Sequence, residues 1–326
     1  MKERVMSSTR RTFIAGLAGA GALATAPRTL SALDSCPFRL SIINDEISDD
    51  FEHACSVAAN DFGLEWIEIR GMWGKNIAQM SDADVDRARG ILSKYKLRVT
   101  DLASPLFKVH WPGAPQSKEG PQRDQFHADF DFKNQDEVLS RCIELCKAFE
   151  TDRIRCFDFW RLENPAPYRA AINEKLRQTA RECAKHNIVL LLENEMDCNT
   201  GTGKEAAVTL SQVQEPNFML NWDPGNSATF AGDTPYPNDY ELLPKNRIGH
   251  CHCKDTIRKP GGGFEWAPVG GGIIDWVGQF RAFERDGYHY AVSLETHWRG
   301  AGTPEASSRA SMAGLKKSLA QAGAKC

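Results

Sequence analysis

The stretches IVLLLEN at residues 188–194 and FMLNWDPGN at residues 218–226 are short apolar runs, and each leads into a carboxylate, Glu193 or Asp223. Runs of this length between polar or turn-forming residues predict buried β-strands. Six other segments of the chain show the same pattern. The eight predicted strands are Arg39–Asn44, Trp66–Arg70, Arg98–Ala103, Ile154–Phe159, Ile188–Glu193, Phe218–Asp223, Ile248–Lys254 and Ala291–Glu295.

Helical patterns, with apolar residues three and four positions apart, lie between these strands. Alternating strands and helices predict a parallel sheet, and eight such units predict a single α/β domain folded as a (β/α)8 TIM barrel. A doubly wound open sheet is the alternative, but Ile43–Glu46 stands where a glycine-rich dinucleotide fingerprint would follow the first strand. The clearest predicted helices are Ser81–Tyr95, Gln135–Phe149, Pro167–His186 and Trp276–Asp286.

Three long connections interrupt this alternation, at residues 104–134, 231–246 and 260–274. Each of them follows a strand, so each is predicted to lie on the C-terminal face of the barrel. Barrel enzymes build their active sites from the loops on that face. The functional site is therefore expected there.

The composition is that of an ordinary soluble globular protein. Of the 326 residues, 41% are hydrophobic and 25% are charged, which is enough apolar material for a large core. The formal net charge is −3, so the chain as a whole does not attract a polyanion. We therefore expect no nucleic-acid partner.

The N-terminus differs from the rest of the chain. Arg10 and Arg11 precede an uncharged stretch of Ile, Leu, Ala and Gly that runs to about Ala26. This pattern predicts a twin-arginine signal peptide and linker over residues 1–33, before a barrel domain over residues 34–326. The apolar stretch is too short and too rich in Gly and Ala for stable membrane insertion. We expect recognition by the twin-arginine export machinery and a periplasmic location, the alternative being a disordered basic leader.

The ten cysteines are not spaced like those of a small disulfide-stapled domain. Twin-arginine export carries proteins that have already folded in the reducing cytoplasm. Mostly buried free thiols are therefore expected, and the presence of a disulfide is left open.

Four predicted strands end in groups that bind divalent cations. These groups are Glu193, Asp223, His252 and Glu295, after strands five to eight. A lone carboxylate would be costly to desolvate there, whereas three carboxylates and an imidazole can jointly bind a cation. On a strand of period two, His250, His252 and Lys254 share one face, and Cys251 and Cys253 point the other way.

Taken together, these strand ends resemble the sugar phosphate isomerase/epimerase family with its xylose-isomerase-like barrel. The motifs are Glu-Asn at 193–194, Asp-Pro-Gly-Asn at 223–226, His-x-Lys-Asp at 252–255 and the glutamate at 295. Residues 268–276 also resemble the family's loop before the seventh helix. Two positions depart from the family pattern: Asn226 stands where related epimerases have His, and Gly270–Gly272 replaces Gly-Glu-Gly.

The resemblance implies one divalent ion per chain, held by Glu193, Asp223, His252 and Glu295. Oxygen-rich ligation with one imidazole favours Mn²⁺, Mg²⁺ or Co²⁺, while Zn²⁺ also fits. The expected catalytic residues are Glu193, Glu295 and Lys254. The candidate substrate-binding residues are Arg70, Trp73, His110, Asn226, His250 and His297.

The implied activity is isomerisation or epimerisation of a sugar, through proton abstraction next to a carbonyl and an enediolate. An exported enzyme rarely meets phosphorylated metabolites, so an unphosphorylated sugar is expected. Alternatives are a lyase or dehydratase acting on a keto-sugar or 3-keto-glycoside, a metal-dependent endonuclease of the same superfamily, and a non-catalytic exported sugar-binding protein. The endonuclease needs more metal ligands and a basic DNA-binding face, and it is disfavoured by the negative net charge and because few of the eight histidines lie at strand ends. The oligomeric state is left open.

Overall fold

Eight parallel strands form one barrel sheet in the computed structural model, which describes residues 36–118 and 130–326. All eight predicted strands are present, with ends that differ by a few residues. Their bounds are β1 Arg39–Ile42, β2 Trp66–Ile69, β3 Arg98–Leu106, β4 Arg153–Cys156, β5 Val189–Glu193, β6 Phe218–Trp222, β7 Ile248–Cys253 and β8 Ala291–Leu294. The sheet order is β1-β8-β7-β6-β5-β4-β3-β2, and a parallel bridge between Ile43 and Glu68 joins the two ends of this sheet.

Helices follow the strands and cover the outside of the barrel, as the alternating pattern predicts. The four predicted helices appear as Asp82–Tyr95, Gln135–Ala148, Arg169–Ala184 and Trp276–Arg285. The described residues also contain α-helices at Phe51–Ser56, Gly203–Gln212, Pro224–Ala228, Tyr240–Leu242 and Pro304–Ala322, with shorter 3₁₀ or π turns at Asn44–Glu46, Val57–Asp61, Ile77–Gln79, Phe132–Asn134, Pro235–Asp239 and Lys245–Arg247.

The two faces of β7 carry different chemistry, as its alternation predicts. Cys251 and Cys253 are fully buried in the hydrophobic core. His250 and His252 instead contact Glu68, which comes from β2 on the other side of the β1–β2 junction. The barrel interior beneath its C-terminal mouth is therefore polar and charged.

The connection after β7 is an antiparallel hairpin, Asp255–Arg258 with Phe264–Ala267. The carboxylate of Asp255 accepts hydrogen bonds from the backbone of Gly270, Gly272 and Ile274, which fastens the next loop to the base of the hairpin. A Cβ atom at residue 272 would lie 2.1 Å from Asp255 Oδ1. The third glycine of the Gly270–Gly272 run is thus required by this close approach.

Cys36 and Cys326 form a disulfide, which the sequence pattern left open. The other eight cysteines are free and buried, as expected. The predicted leader at residues 1–33 lies outside the described residues. None of the helices in the described part of the chain combines the length and apolar character needed to cross a membrane.

Candidate metal centre

The four side chains predicted to bind a cation meet at the C-terminal mouth of the barrel. Glu193, Asp223, His252 and Glu295 each offer a ligand atom, and these atoms lie within 4.8 Å of one another. His252 Nδ1 is at the centre, 3.3 Å from Glu193 Oε1, 3.5 Å from Glu295 Oε2 and 3.7 Å from Asp223 Oδ2. Three carboxylate oxygens and one imidazole nitrogen form a donor set that fits a divalent cation.

Each glutamate of this cluster is held by an arginine. Arg155 donates from Nη1 to Glu193 Oε2 at 3.0 Å, and Arg70 donates from Nη1 to Glu295 Oε1 at 3.0 Å. The other oxygen of each glutamate faces His252. Each carboxylate is thereby oriented with one oxygen directed into the cluster.

Asp223 is positioned by the turn that ends β6. Its Oδ1 accepts from the backbone N–H of Asn226 at 2.9 Å and so caps the helix Pro224–Ala228. Its backbone exchanges two hydrogen bonds of 2.8 Å with the Asn194 side chain. Its Oδ2 is buried, forms an ion pair with Lys254 Nζ at 2.7 Å and lies 3.7 Å from His252 Nδ1. This oxygen therefore faces the cluster, and a bound cation would share it with Lys254.

Charge complementarity keeps both glutamates ionised. Burial alone would raise the pKa of Glu193, but His252 and Arg155 lower that pKa to about 2. Burial likewise opposes ionisation of Glu295, and Lys254 is the strongest of the charges that hold its pKa well below the usual range. Both side chains are thus carboxylates at neutral pH.

Positive charge concentrates on two residues of the same cluster. Burial would lower the pKa of His252, but the carboxylates of Glu68 and Glu193 raise it well above its usual range. Burial would also lower the pKa of Lys254, and Asp223 raises it. The pKa of Asp223 is raised, because burial outweighs the attraction of Lys254. In the metal-free protein, the protons on His252 and Lys254 supply the positive charge that balances the carboxylates, and a divalent cation would take over part of this role.

Lys254, predicted to be catalytic, lies inside the cluster. Its Nζ is 2.5 Å from Glu295 Oε2 and 2.7 Å from Asp223 Oδ2, and its side chain is 2% exposed. Gly225 makes room for it, since a Cβ there would lie 2.3 Å from Lys254 Cγ. The lysine therefore forms buried ion pairs with two of the four candidate ligands.

Two of the predicted substrate-binding residues also border the cluster. Asn226 Nδ2 lies 3.3 Å from Glu193 Oε1, and His297 Nε2 lies 3.2 Å from Glu295 Oε1. The His297 ring also packs 5.0 Å from the Trp266 ring of the hairpin after β7. These two residues flank the two glutamates from different loops.

Arg70 and His250 are placed differently from the substrate contacts predicted for them. The Arg70 guanidinium is buried among the carboxylates of Asp45, Glu46 and Glu295. His250 is fully buried and faces Glu68 and Asp101. Carboxylates of the protein thus surround both side chains, and a substrate contact by either residue stays a prediction.

Trp73 and His110 are the two remaining residues predicted to bind substrate. Trp73 packs its ring 6.0 Å from that of Phe51 and 4.1 Å from the Arg87 guanidinium, on the helices after β1 and β2. His110 is exposed in the loop after β3. Among the described residues, no hydrogen bond or ring contact joins either of them to the cluster, and their substrate contacts stay a prediction.

Glu68 and Arg155 belong to this site but were not predicted from the sequence. Each is a charged residue between two buried apolar neighbours on a strand, in the segments IEI at 67–69 and IRC at 154–156. On a barrel strand, apolar neighbours that pack under the helices leave the residue between them facing the interior. This alternation was the signal that could have identified both.

Residues 57–318 match the family model described as xylose isomerase-like TIM barrel. Among curated proteins, no match to the chain is found. The sequence match therefore covers most of the barrel, including every member of the cluster.

Solved structures show the same architecture. D-psicose 3-epimerase with D-tagatose from Clostridium cellulolyticum H10 superposes with a TM-score of 0.65 at 16% identity, covering 89% of this chain and 100% of the other. A xylose isomerase-like TIM barrel protein from Mycobacterium smegmatis in complex with magnesium gives 0.63 at 16% identity, covering 88% and 98%. The probable 3-DHS dehydratase from Bacillus anthracis gives 0.60 at 20% identity, covering 86% and 98%. At these identities the likeness concerns the fold.

Proposed function

The chain belongs to the xylose isomerase-like TIM barrel family, and from this premise we propose that it is a divalent-metal-dependent isomerase or epimerase of an unphosphorylated sugar. The observation that carries the proposal is the convergence of Glu193, Asp223, Glu295 and His252 Nδ1 at the barrel mouth. The D-psicose 3-epimerase with D-tagatose shares this fold, which supports a sugar as substrate.

The four cluster residues would hold one cation. Mn²⁺, Mg²⁺ and Co²⁺ suit this oxygen-rich set best, and Zn²⁺ also fits. When bound, such a cation polarises the substrate carbonyl and stabilises the negative charge that develops on it. The magnesium complex of the mycobacterial barrel protein supports a cation in this fold.

Glu193 and Glu295 would move the proton. Arg155 and Arg70 hold one oxygen of each, so the other oxygen of each is directed into the site. One carboxylate would remove the proton next to the carbonyl, giving an enediolate. The other, once protonated by solvent or by the Lys254 ammonium 2.5 Å from Glu295 Oε2, would return a proton to the opposite face or to the neighbouring carbon, and the first would then release its proton to solvent. Both glutamates are ionised before the reaction, which is the state that a base requires.

Lys254 supports a second candidate function, a lyase or dehydratase acting on a keto-sugar or 3-keto-glycoside. After the same proton abstraction, elimination needs an acid for the departing oxygen. The Lys254 ammonium, 2.5 Å from Glu295 Oε2, is such a donor next to one of the two bases. The likeness of fold to the probable 3-DHS dehydratase supports this alternative.

The absence of phosphate from the proposed substrate follows from the proposed location. Paired arginines at positions 10 and 11 before an apolar stretch support export by the twin-arginine route to the periplasm. Phosphorylated sugars are made and kept inside the cell. An exported enzyme of this family would therefore act on a free or keto-modified sugar, or on a glycoside.

The test is hydrogen exchange in deuterated water across a panel of free sugars and 3-keto-glycosides, with and without added Mn²⁺. The proposed reaction predicts cation-dependent entry of deuterium beside the carbonyl and an isomeric product. Loss of the aglycone or of water from the same substrate would assign the lyase instead. Binding of a sugar without exchange or turnover of any panel member would indicate a non-catalytic binding protein and overturn the proposal.

A further inference from the structure

Beneath the candidate metal centre lies a row of four ionisable residues: Asp101, His250, Glu68 and His252. All four are 0% exposed. They come from β3, β2 and β7, so the row crosses the barrel interior rather than following one strand. The metal ligand set accounts for His252 alone, and the proposed chemistry uses none of the other three.

The contacts run in order along this row. Glu68 Oε1 lies 3.0 Å from His252 Nε2, and Glu68 Oε2 lies 3.1 Å from His250 Nε2. His250 Nδ1 lies 3.4 Å from Asp101 Oδ1. The Glu68 carboxylate therefore bridges the two histidines, one oxygen to each.

The bridge distinguishes the two nitrogens of His252. A carboxylate accepts hydrogen bonds and donates none, so Nε2, which faces Glu68, has to carry a proton. Nδ1 faces Glu193, Asp223 and Glu295, the three carboxylates that would share a cation, so a bound cation would take the place of a proton on Nδ1. With the proton kept on Nε2, the lone pair of Nδ1 is directed at the place where the three carboxylates meet.

We propose that Glu68 is a positioning residue that holds His252 with Nε2 protonated, so that Nδ1 is the nitrogen presented to the cation. The proposal rests on the proposed metal-dependent function. Partners of this kind orient metal-binding histidines and increase their basicity in many proteins. In this chain the partner itself is held, because His250 occupies its second oxygen.

The position of Glu68 in the fold explains why it can reach both histidines. Its backbone forms the single parallel bridge to Ile43 that joins β1 and β2, where the sheet closes. From there its side chain reaches across the barrel interior to β7. The same residue thus marks the closure of the barrel and contacts side chains of β7, three strands away around the barrel.

The test compares Glu68→Ala and Glu68→Gln with the wild type and with Asp158→Asn as a matched control. Asp158 is also a fully buried barrel carboxylate, but its side chain bonds to Arg169 and Thr200 and does not touch the cluster. The first readout is Mn²⁺ affinity by calorimetry. We expect Glu68→Ala to bind Mn²⁺ about 10- to 100-fold more weakly than wild type. Glu68→Gln should lie between, since its amide oxygen still accepts the Nε2 proton, and the control should bind as wild type does.

The second readout is long-range ¹H–¹⁵N correlation of the histidine rings, with and without Zn²⁺. In Zn²⁺-loaded wild type, His252 should carry its proton on Nε2 alone. In metal-free protein the Nε2 proton should be protected from exchange, and that protection should be lost in Glu68→Ala. This metal-free measurement examines Glu68 even if no cation binds.

The outcomes separate the two proposals. If wild type binds no divalent cation, the proposed function fails, while the Nε2 proton still decides the role of Glu68. If wild type binds Mn²⁺ and both Glu68 variants bind it equally well, Glu68 does not position His252. A Zn²⁺-loaded His252 with its proton on Nδ1 would also overturn the inference. Equal weakening in Asp158→Asn would assign the effect to general loss of packing.

Discussion

Arg155 donates from Nη1 to Glu193 Oε2 at 3.0 Å, and this bond leaves Glu193 Oε1 as the oxygen that faces the cluster. The guanidinium also donates to the backbone carbonyl of Ala103 on the neighbouring strand β3. Arg155 is thus held by the barrel wall, and it in turn fixes the orientation of a candidate base. Arg155, inside strand β4, thus sets the orientation of the Glu193 carboxylate at the barrel mouth.

Replacing Arg155 by Met should therefore destabilise the protein strongly. The substitution leaves Glu193 buried without its main hydrogen-bonding partner, and breaking a buried ion pair costs about 3–5 kcal/mol. Urea unfolding followed by circular dichroism measures the loss. Arg89→Met is the control, because the Arg89–Asp86 pair is exposed and exposed pairs contribute about 0–1 kcal/mol. Equal effects in the two variants would contradict the role given to Arg155.

Removing the imidazole should remove the cation. Elemental analysis of the wild type is expected to give one divalent ion per chain, and His252→Ala should show lost or greatly weakened binding, because a central ligand is missing. Cys251→Ala is the matched control, since that side chain is the strand neighbour on the opposite face. Unchanged stoichiometry and affinity in His252→Ala would exclude His252 from the site.

Cation binding should release a proton. The pKa of His252 is raised well above its ordinary value of 6.5, because Glu68 and Glu193 outweigh the effect of burial. In metal-free protein this added stability is complete below about pH 6.5 and is lost as pH rises through the raised folded pKa.

Binding through Nδ1 displaces that proton, so the apparent affinity should increase with pH, by about tenfold per pH unit below the folded pKa. Calorimetry in two buffers of different ionisation enthalpy counts the protons, and about one per cation is expected. Affinity that is flat with pH, together with no proton release, would contradict ligation by His252.

Gly272→Ala should destabilise the loop before the helix Trp276–Arg285. The added Cβ would lie 2.1 Å from Asp255 Oδ1, so the hydrogen bonds that fasten the loop must shift. Overpacking of this kind costs about 1–3 kcal/mol, measured by thermal or urea unfolding. Gly90→Ala has space around the new methyl group and lies within a helix, so it should stabilise by up to about 1 kcal/mol. The two substitutions should therefore change the free energy of unfolding in opposite directions.

Export should depend on the paired arginines. Replacing Arg10 and Arg11 together by Lys should leave the protein in the cytoplasm, because the export receptor recognises the pair. Cell fractionation with immunoblotting measures the distribution, and terminal sequencing of exported protein should begin after about Ala26. A protein that still begins at Met1 outside the cytoplasm would disprove this interpretation of the leader.

The parts of the site that were predictable are those at strand ends. Glu193 and Asp223 follow continuous apolar runs, so their strands and the direction of the mouth could be derived from pattern alone. Glu68 and Arg155 lie inside strands, where the chain gives only a charged residue between two apolar ones. Their importance depends on partners far away in sequence, such as the His252 ring for Glu68. The apolar periodicity of one strand does not identify a contact partner that is distant in sequence.

Two other features could not be predicted from the sequence for the same reason. Cys36 and Cys326 are 290 residues apart, and no spacing rule pairs cysteines at such a distance. Arg70, expected to contact the substrate, contacts Glu295 at the mouth and also Asp45 and Glu46, which follow the neighbouring strand β1. Strand order can be predicted from the alternating pattern, but side-chain partners across the barrel depend on the three-dimensional fold.

The disulfide between Cys36 and Cys326 makes the barrel a covalent ring. Their Cα atoms are 4.4 Å apart, close to the ~3.8 Å between consecutive residues of one chain. A single proteolytic cut in any surface loop between them would give a nicked protein whose two fragments separate only under reducing conditions. The same closeness makes the barrel over residues 36–326 suitable for circular permutation, with new ends opened in an exposed loop such as residues 259–263 and residues 36 and 326 joined by a short linker.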